Sequence, residues 1–92
     1  MTVTYDDVLK AKKTQSEVIR KTNLEFSETF SKICGAKVYL KNEYEQKTGS
    51  FKIRGAYCKI KSLTDDEKNK GVVAASAGNH SQGVAFLSLI HI

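Results

Sequence analysis

The sequence predicts an α/β fold, in which helices pack on a small sheet. Helix-like and strand-like segments alternate along the 92 residues, an order typical of strands joined by crossover helices. Two short segments, 37–41 and 72–75, are rich in the β-branched and apolar residues that strands prefer. A content of 40% hydrophobic and 27% charged residues is ordinary for a folded globular chain. We therefore expect a small α/β unit that is one domain or part of one.

The first helix is predicted from apolar residues at helical spacing over about four turns, with lysines on the opposite face. Thr4 or Asp6 can supply its N-cap, and Asp7 lies near the positive end of the helix dipole. Because one face is apolar, we expect this helix to pack on another part of the protein. The apolar positions are Val8, Leu9, Ala11, Val18 and Ile19.

The middle of the chain contains one predicted strand and the helix that follows it. Residues 22–31 have no clear period beyond a single candidate helical turn. The strand at 37–41 ends in a polar segment, in which Gly49 permits a tight turn. Ser50 can cap the next helix, so that Lys52 lies in its first turn.

The last third of the chain begins with a short predicted helix. Thr64–Glu67 has the pattern of a capping box, and Gly71 ends the helix. The apolar run at 72–75 is typical of a fully buried strand in a parallel sheet. A loop at 76–79 then leads into a final helix, which we expect to run from residue 80 to about residue 90.

Composition and charge argue against several classes of protein. The longest apolar run is too short to cross a membrane, and residues 1–7 lack the pattern of a signal peptide. The net charge is +5, but acidic residues are interleaved with the basic ones, so a solvated basic surface is favoured over a nucleic-acid site. Cys34 and Cys58 fit neither a zinc motif nor a disulfide framework, and we expect free thiols in the cytosol.

Lys52 is the first candidate for chemistry. It follows Phe51, whose ring could lie against a planar ligand, and the small polar residues Thr48–Ser50. Lysine is a nucleophile where an amine must condense with a carbonyl, and the positive end of a helix favours the neutral amine that reacts. Most single lysines are surface residues, so it is this context that distinguishes Lys52.

The loop Ser76–His80 is the second candidate. A turn that leaves a buried strand and enters a helix is where α/β proteins bind anions, so a carboxylate or phosphate suits this loop. The alternative is a plain turn capped by Asn79, and a histidine at the position of His80 more often packs or caps than catalyses. No metal-ligand cluster, Ser-His-Asp arrangement or pair of carboxylates is indicated.

Together the two stretches resemble the serine/threonine dehydratase family of fold type II pyridoxal-phosphate enzymes. Lys41–Glu43 and Gln46–Ala56 are similar to that family's cofactor-lysine signature, and Ser76–Gly83 is similar to its second loop. The resemblance runs from about residue 5 to Phe86. It implies that residues 1–86 form the N-terminal part of such an enzyme, as a partial three-layer α/β/α unit.

The resemblance also implies a role for each site residue. Lys52 would hold pyridoxal 5′-phosphate in a Schiff base and take a proton from the substrate's Cα. Phe51 would press on the pyridine ring, and Asn79 would hydrogen-bond the ring oxygen. The implied reaction is loss of the β-hydroxyl of L-threonine or L-serine, which gives a 2-oxo acid and ammonia. The substrate's carboxylate would be bound by Ser76, Ala77, Asn79 and His80.

Some features depart from the family's pattern. Residues 22–24 read Thr-Asn-Leu where the family often has Thr-Pro-Leu. Family chains are much longer, and neither their glycine-rich phosphate loop nor the partner of the pyridine nitrogen is found here. Residues 87–92 do not resemble the family, and we interpret them as a non-native tail. We therefore expect an N-terminal fragment that is inactive alone, from an enzyme that is homo-oligomeric at full length and binds neither nucleic acid nor membrane.

Two alternative functions remain open, and a third possibility is a catalytically inactive fragment with no role of its own. A serine racemase-like enzyme would share residues 47–52, and formation of D-serine instead of a 2-oxo acid would identify it. A non-catalytic basic binding module is the other, and a steep salt dependence of oligonucleotide binding would favour it.

Overall fold

The computed structural model describes residues 1–91 of the chain, with the side chains of residues 1–90. The helices within this range are α1 (Tyr5–Gln15), α2 (Glu28–Cys34), α3 (Lys52–Ser62), α4 (Asp65–Asn69) and α5 (Asn79–His91). The strands are β1 (Leu24–Phe26) and β2 (Tyr39–Lys41), and 3₁₀ turns lie at Glu43–Glu45 and Lys47–Gly49.

Capping boxes begin α1 and α4. Thr4 accepts a hydrogen bond from the Asp7 amide at 3.2 Å, and the Asp7 carboxylate accepts one from the Thr4 amide at 2.9 Å. Thr64 and Glu67 repeat the arrangement at 3.2 and 3.0 Å. Each box satisfies two amides that the first turn of a helix leaves without a partner. The predicted start of each helix is therefore confirmed, with Thr4 as the cap of α1.

Helix α1 is shorter than the apolar spacing predicts. It ends at Gln15, after about three turns, and Val18 and Ile19 lie beyond it. The Ser16 hydroxyl donates to the Lys13 carbonyl at 2.7 Å, which is the acceptor that the next helical amide would use. Both apolar residues beyond the helix still pack against the core.

The sheet consists of β1 and β2, which run antiparallel with Leu24 opposite Lys41 and Phe26 opposite Tyr39. The rings of Phe26 and Tyr39 meet edge to face, with centroids 5.5 Å apart. The strand predicted at 37–41 is thus confirmed for its last three residues. The weakly patterned segment before it contains β1 and α2, which pattern alone did not assign.

The second predicted strand, at 72–75, is wrong. These residues have no regular secondary structure and are exposed, and Val73 is 100% exposed. A strand needs a neighbour that accepts and donates its backbone hydrogen bonds, and the described part of the chain places none beside this segment. The predicted parallel arrangement is therefore absent from the described residues.

The core lies between α3 and α5. Its buried apolar side chains are Ile53, Ala56, Tyr57, Ile60 and Leu87. The radius of gyration is 16.0 Å, whereas a compact domain of this length has about 12 Å. Large apolar side chains therefore remain exposed on α1, α2 and both strands. No helix in the described range is long and apolar enough to span a bilayer.

The segment interpreted as a non-native tail begins inside this core. Leu87 is fully buried, and α5 continues past it to His91. Ile92, the last residue of that segment, lies outside the described residues. The origin of the segment stays a prediction.

Candidate cofactor site

A left-handed turn leads into α3. Thr48 has φ 67° and Gly49 has φ 77°, and Ser50 is extended. Glycine adopts this conformation without penalty, but a β-branched residue does not. Phe51 occupies the N-cap position, and the Ser50 hydroxyl accepts a long hydrogen bond of 3.4 Å from the Lys52 amide. The turn makes Lys52 the first residue of α3.

The Lys52 side chain is exposed beside an aromatic ring. Its Nζ lies 5.3 Å from the centroid of Phe51, within the range of a cation–π contact. Phe51 itself is 58% exposed. Among the described residues, no hydrogen bond or ion pair holds the amine. An amine with this freedom can reach a carbonyl compound from solvent.

The second motif forms the entrance to α5. The Ser76 hydroxyl accepts a hydrogen bond from the Gly78 amide at 3.2 Å, and the Gly78 carbonyl accepts the first helical bond, from the Gln82 amide, at 3.3 Å. Asn79 is therefore the first helical residue. The first amides of α5 point out of the helix without intrahelical acceptors, so they carry partial positive charge.

The structure brings the two motifs together at one open cleft of about 370 Å³. Helix α5 approaches α3 closely at Gly83, where a Cβ would lie 3.4 Å from the Ile53 Cα. Three of the predicted site residues do not line the cleft: Ser76 and Ala77, on the exposed loop before α5, and Asn79, the first residue of α5. The lining residues are Phe51, Lys52, Arg54, Gly55, Ala56 and His80.

Arg54, which also lines this cleft, forms an ion pair with Glu43 that the sequence did not reveal. Its Nε donates to one oxygen of Glu43 at 2.9 Å and its Nη2 to the other at 2.7 Å. The buried Thr22 hydroxyl donates to the same carboxylate at 2.6 Å. The hydrogen bond from Arg54, and to a lesser extent that from Thr22, lowers the pKa of Glu43 from 4.5 to about 2. Partial burial acts in the opposite direction but is outweighed. The pair ties α3 to the turn after β2.

The residues at the cleft fit a flat, carbonyl-bearing ligand with an anionic group. The Lys52 amine is a group that can react with a carbonyl, and the Phe51 ring provides an apolar face next to it. The start of α5, with His80 on the cleft, supplies partial positive charge for an anion. This arrangement suits one class of protein, the α/β proteins that bind a cofactor with a reactive carbonyl group beside a lysine.

Comparison with known proteins identifies the family. The model of the family described as "Pyridoxal-phosphate dependent enzyme" matches residues 15–90, and the chain belongs to this family. L-threonine ammonia-lyase of Thermotoga maritima is 51% identical over 88 residues, which are 96% of this chain and 22% of that protein. Catabolic L-threonine dehydratase of Escherichia coli (strain K12) is 54% identical over 83 residues, which are 90% of this chain and 25% of that protein.

Solved structures agree with this assignment. The crystal structure of serine racemase from Dictyostelium discoideum matches with a TM-score of 0.89 and 42% identity, over 99% of this chain and 30% of that one. This similarity confirms the predicted α/β class. The chain spans about a quarter of the length of the curated relatives it matches.

Proposed function

We propose that the chain forms part of a pyridoxal-phosphate-dependent lyase that removes the β-hydroxyl of L-threonine or L-serine and releases a 2-oxo acid and ammonia. The observation that carries this proposal is the shared cleft, on which the exposed Lys52 amine and the start of α5 meet. Identities of 51% and 54% to proteins named for the reaction of L-threonine support it.

Lys52 is the proposed attachment point of the cofactor and the group that moves a proton at the substrate's Cα. When bound, pyridoxal phosphate supplies the electron sink for breaking the Cα–H bond. Phe51, whose ring lies beside the amine, is proposed to cover one face of the cofactor ring. Asn79, at the start of α5, is proposed to hydrogen-bond the ring oxygen.

The loop before α5 is the proposed site for the substrate's carboxylate. The first amides of a helix and its positive dipole favour an anion at this end. The Ser76 side chain already bonds to the loop's own Gly78 amide, which shapes the loop. Fixing the carboxylate here would orient the substrate so that Lys52 reaches its Cα. The proposed carboxylate ligands are Ser76, Ala77, Asn79 and His80.

A chemical-labelling experiment tests the role of Lys52. The chain is incubated with pyridoxal phosphate, reduced with borohydride, and mapped by mass spectrometry. We expect the label to concentrate on Lys52, to disappear in Lys52→Ala, and to persist in Lys59→Arg, which removes another exposed lysine of α3. Labelling of Lys52 no stronger than that of Lys59 would overturn the assignment.

Serine racemase activity is the second candidate, because the racemase of Dictyostelium discoideum matches over 99% of this chain at 42% identity. The longest product of the gene should be assayed with L-serine and L-threonine. Release of 2-oxo acid supports the lyase, and accumulation of D-serine without 2-oxo acid supports the racemase.

The setting of the enzyme is also proposed. Cys34 is exposed and Cys58 half-buried, both as free thiols, which suits the reducing cytosol. We propose that the longer enzyme is a homo-oligomer and that its substrates are small amino acids. Its measured mass in solution tests the oligomeric state.

A further inference from the structure

Gln46 is a buried polar residue, 3% exposed, immediately before the turn that leads to Lys52. Its Oε1 accepts a hydrogen bond from the Arg20 amide at 2.8 Å, and its Nε2 donates to the Arg20 carbonyl at 2.7 Å. One side chain thus pairs with both backbone groups of a residue 26 positions away. The same Oε1 accepts from the Lys47 amide at 3.1 Å.

Neighbouring residues strengthen this connection. Lys47 Nζ donates to the Val18 carbonyl at 2.6 Å, and the Arg20 guanidinium donates to the Glu45 carbonyl at 2.9 Å. We call the contacts of Gln46 and Lys47 with the backbone of residues 18–20 the Gln46 clamp. It anchors the segment before α3 to the segment that follows α1.

The strained turn begins directly after the clamp. A non-glycine residue in the left-handed region is strained and persists only where its surroundings hold it. Thr48 has φ 67°, and its buried hydroxyl has no hydrogen-bond partner within the described part of the chain. The Gln46 carbonyl accepts the Gly49 amide at 2.8 Å, so the residue that forms the clamp also closes the turn.

We propose that Gln46 is a positioning residue, which holds the left-handed turn at Thr48 and thereby directs Lys52 toward the cleft it shares with His80. Gln46 does not line that cleft, so its effect passes through the turn. The role in catalysis rests on the proposed function of Lys52, but the effect on the turn does not.

The test compares Gln46→Leu with Ile60→Val. The first replaces the amide side chain with an apolar one of similar size. The second weakens the core at the far end of α3 without touching the clamp. Two readouts are used: NMR chemical shifts of Thr48 and Gly49, which report positive φ, and the ratio of borohydride-trapped pyridoxal phosphate on Lys52 to that on Lys59.

We expect Gln46→Leu to abolish the chemical shifts typical of positive φ at Thr48 and Gly49. We also expect it to lower the Lys52/Lys59 labelling ratio by roughly tenfold or more, since misplacing a reactive group by about 1 Å can cost up to about a hundredfold in rate. Ile60→Val should change neither. General unfolding would also lower this ratio, so both readouts are taken under conditions in which the circular dichroism spectrum of each variant matches that of the wild type. If Gln46→Leu does not fold, Lys47→Met removes one hydrogen bond of the clamp and should shift both readouts in the same direction.

The proposal is overturned if the Gln46 variant matches the wild type both in the chemical shifts of Thr48 and Gly49 and in the labelling ratio. That result would leave the role of Lys52 intact. An unselective ratio in the wild type would instead contradict the role of Lys52. In that case the shifts of Thr48 and Gly49 still decide whether the clamp holds the turn.

Discussion

Replacement of Glu43 by glutamine should destabilise the protein and remove part of its acid sensitivity. The Glu43 carboxylate accepts hydrogen bonds at 2.6–2.9 Å from Thr22 and Arg54, and its side chain is 16% exposed. In Glu43→Gln, an amide nitrogen would face guanidinium donors, and Arg54 would lose its charged partner. Removing one member of a partly buried pair leaves the other without compensation.

The magnitude follows from the pKa of Glu43. A decrease from 4.5 to about 2, at about 1.4 kcal/mol per pKa unit, corresponds to at most about 3.5 kcal/mol of folding free energy. Because the folded-state pKa is depressed, this stabilisation is fully present above about pH 4.5 and is lost as the pH falls toward about 2. We expect Glu43→Gln to lose about 2–3 kcal/mol at pH 7.

Urea unfolding followed by circular dichroism at several pH values measures this effect. The matched control is Glu25→Gln, which removes the same charge from an exposed strand position. Asp7 and Glu67, whose pKa values are lowered by hydrogen bonds to Thr4 and Thr64, titrate equally in both variants and cancel. Equal stability of the two variants at pH 7, or an equal slope below pH 4.5, would refute the reasoning.

Four further substitutions test the packing and capping. Gly83→Leu should lower the free energy of unfolding by about 1–3 kcal/mol, because its Cβ would lie 3.4 Å from the Ile53 backbone. Gly55→Ala, with no neighbour within 4 Å of the new Cβ, should raise it by about 0.5–1 kcal/mol. If urea unfolding shows that both glycine variants are more stable than the wild type, or that both are less stable, this contrast is contradicted. Leu87→Ala should lose about 2–5 kcal/mol in the same assay, since Leu87 is fully buried, and a loss below about 1 kcal/mol would place it outside the core. Thr64→Ala should cost about 1 kcal/mol and speed hydrogen exchange at the first amides of α4, and unchanged exchange would show that the cap is not needed.

Helix starts were predictable because their causes are local. The two capping boxes involve residues three positions apart, and both are present in the structure. The signature around Lys52 predicted a turn followed by a helix, and α3 begins at Lys52. A few neighbouring residues supply the hydrogen bonds for each of these features, so a short window of sequence contains the necessary information.

Strands were less predictable because their hydrogen bonds join distant residues. The run 72–75 has a more strand-like composition than Leu24–Phe26, yet only the latter forms a strand. Leu24–Phe26 has β2 as a neighbour, and 72–75 has none among the described residues. Composition therefore indicates a preference for extended structure, and pairing determines whether a strand forms.

The residues that carry the proposed chemistry, Lys52 and the loop before α5, could be named from the sequence because each belongs to a short continuous motif. The contacts that position them could not. Glu43 meets Arg54 across 11 residues, and Gln46 meets Arg20 across 26. Such contacts have no periodic signal, since they arise only when α1, the turn after β2 and α3 come together. The motifs thus predict which groups react, and long-range hydrogen bonding and packing determine where those groups lie.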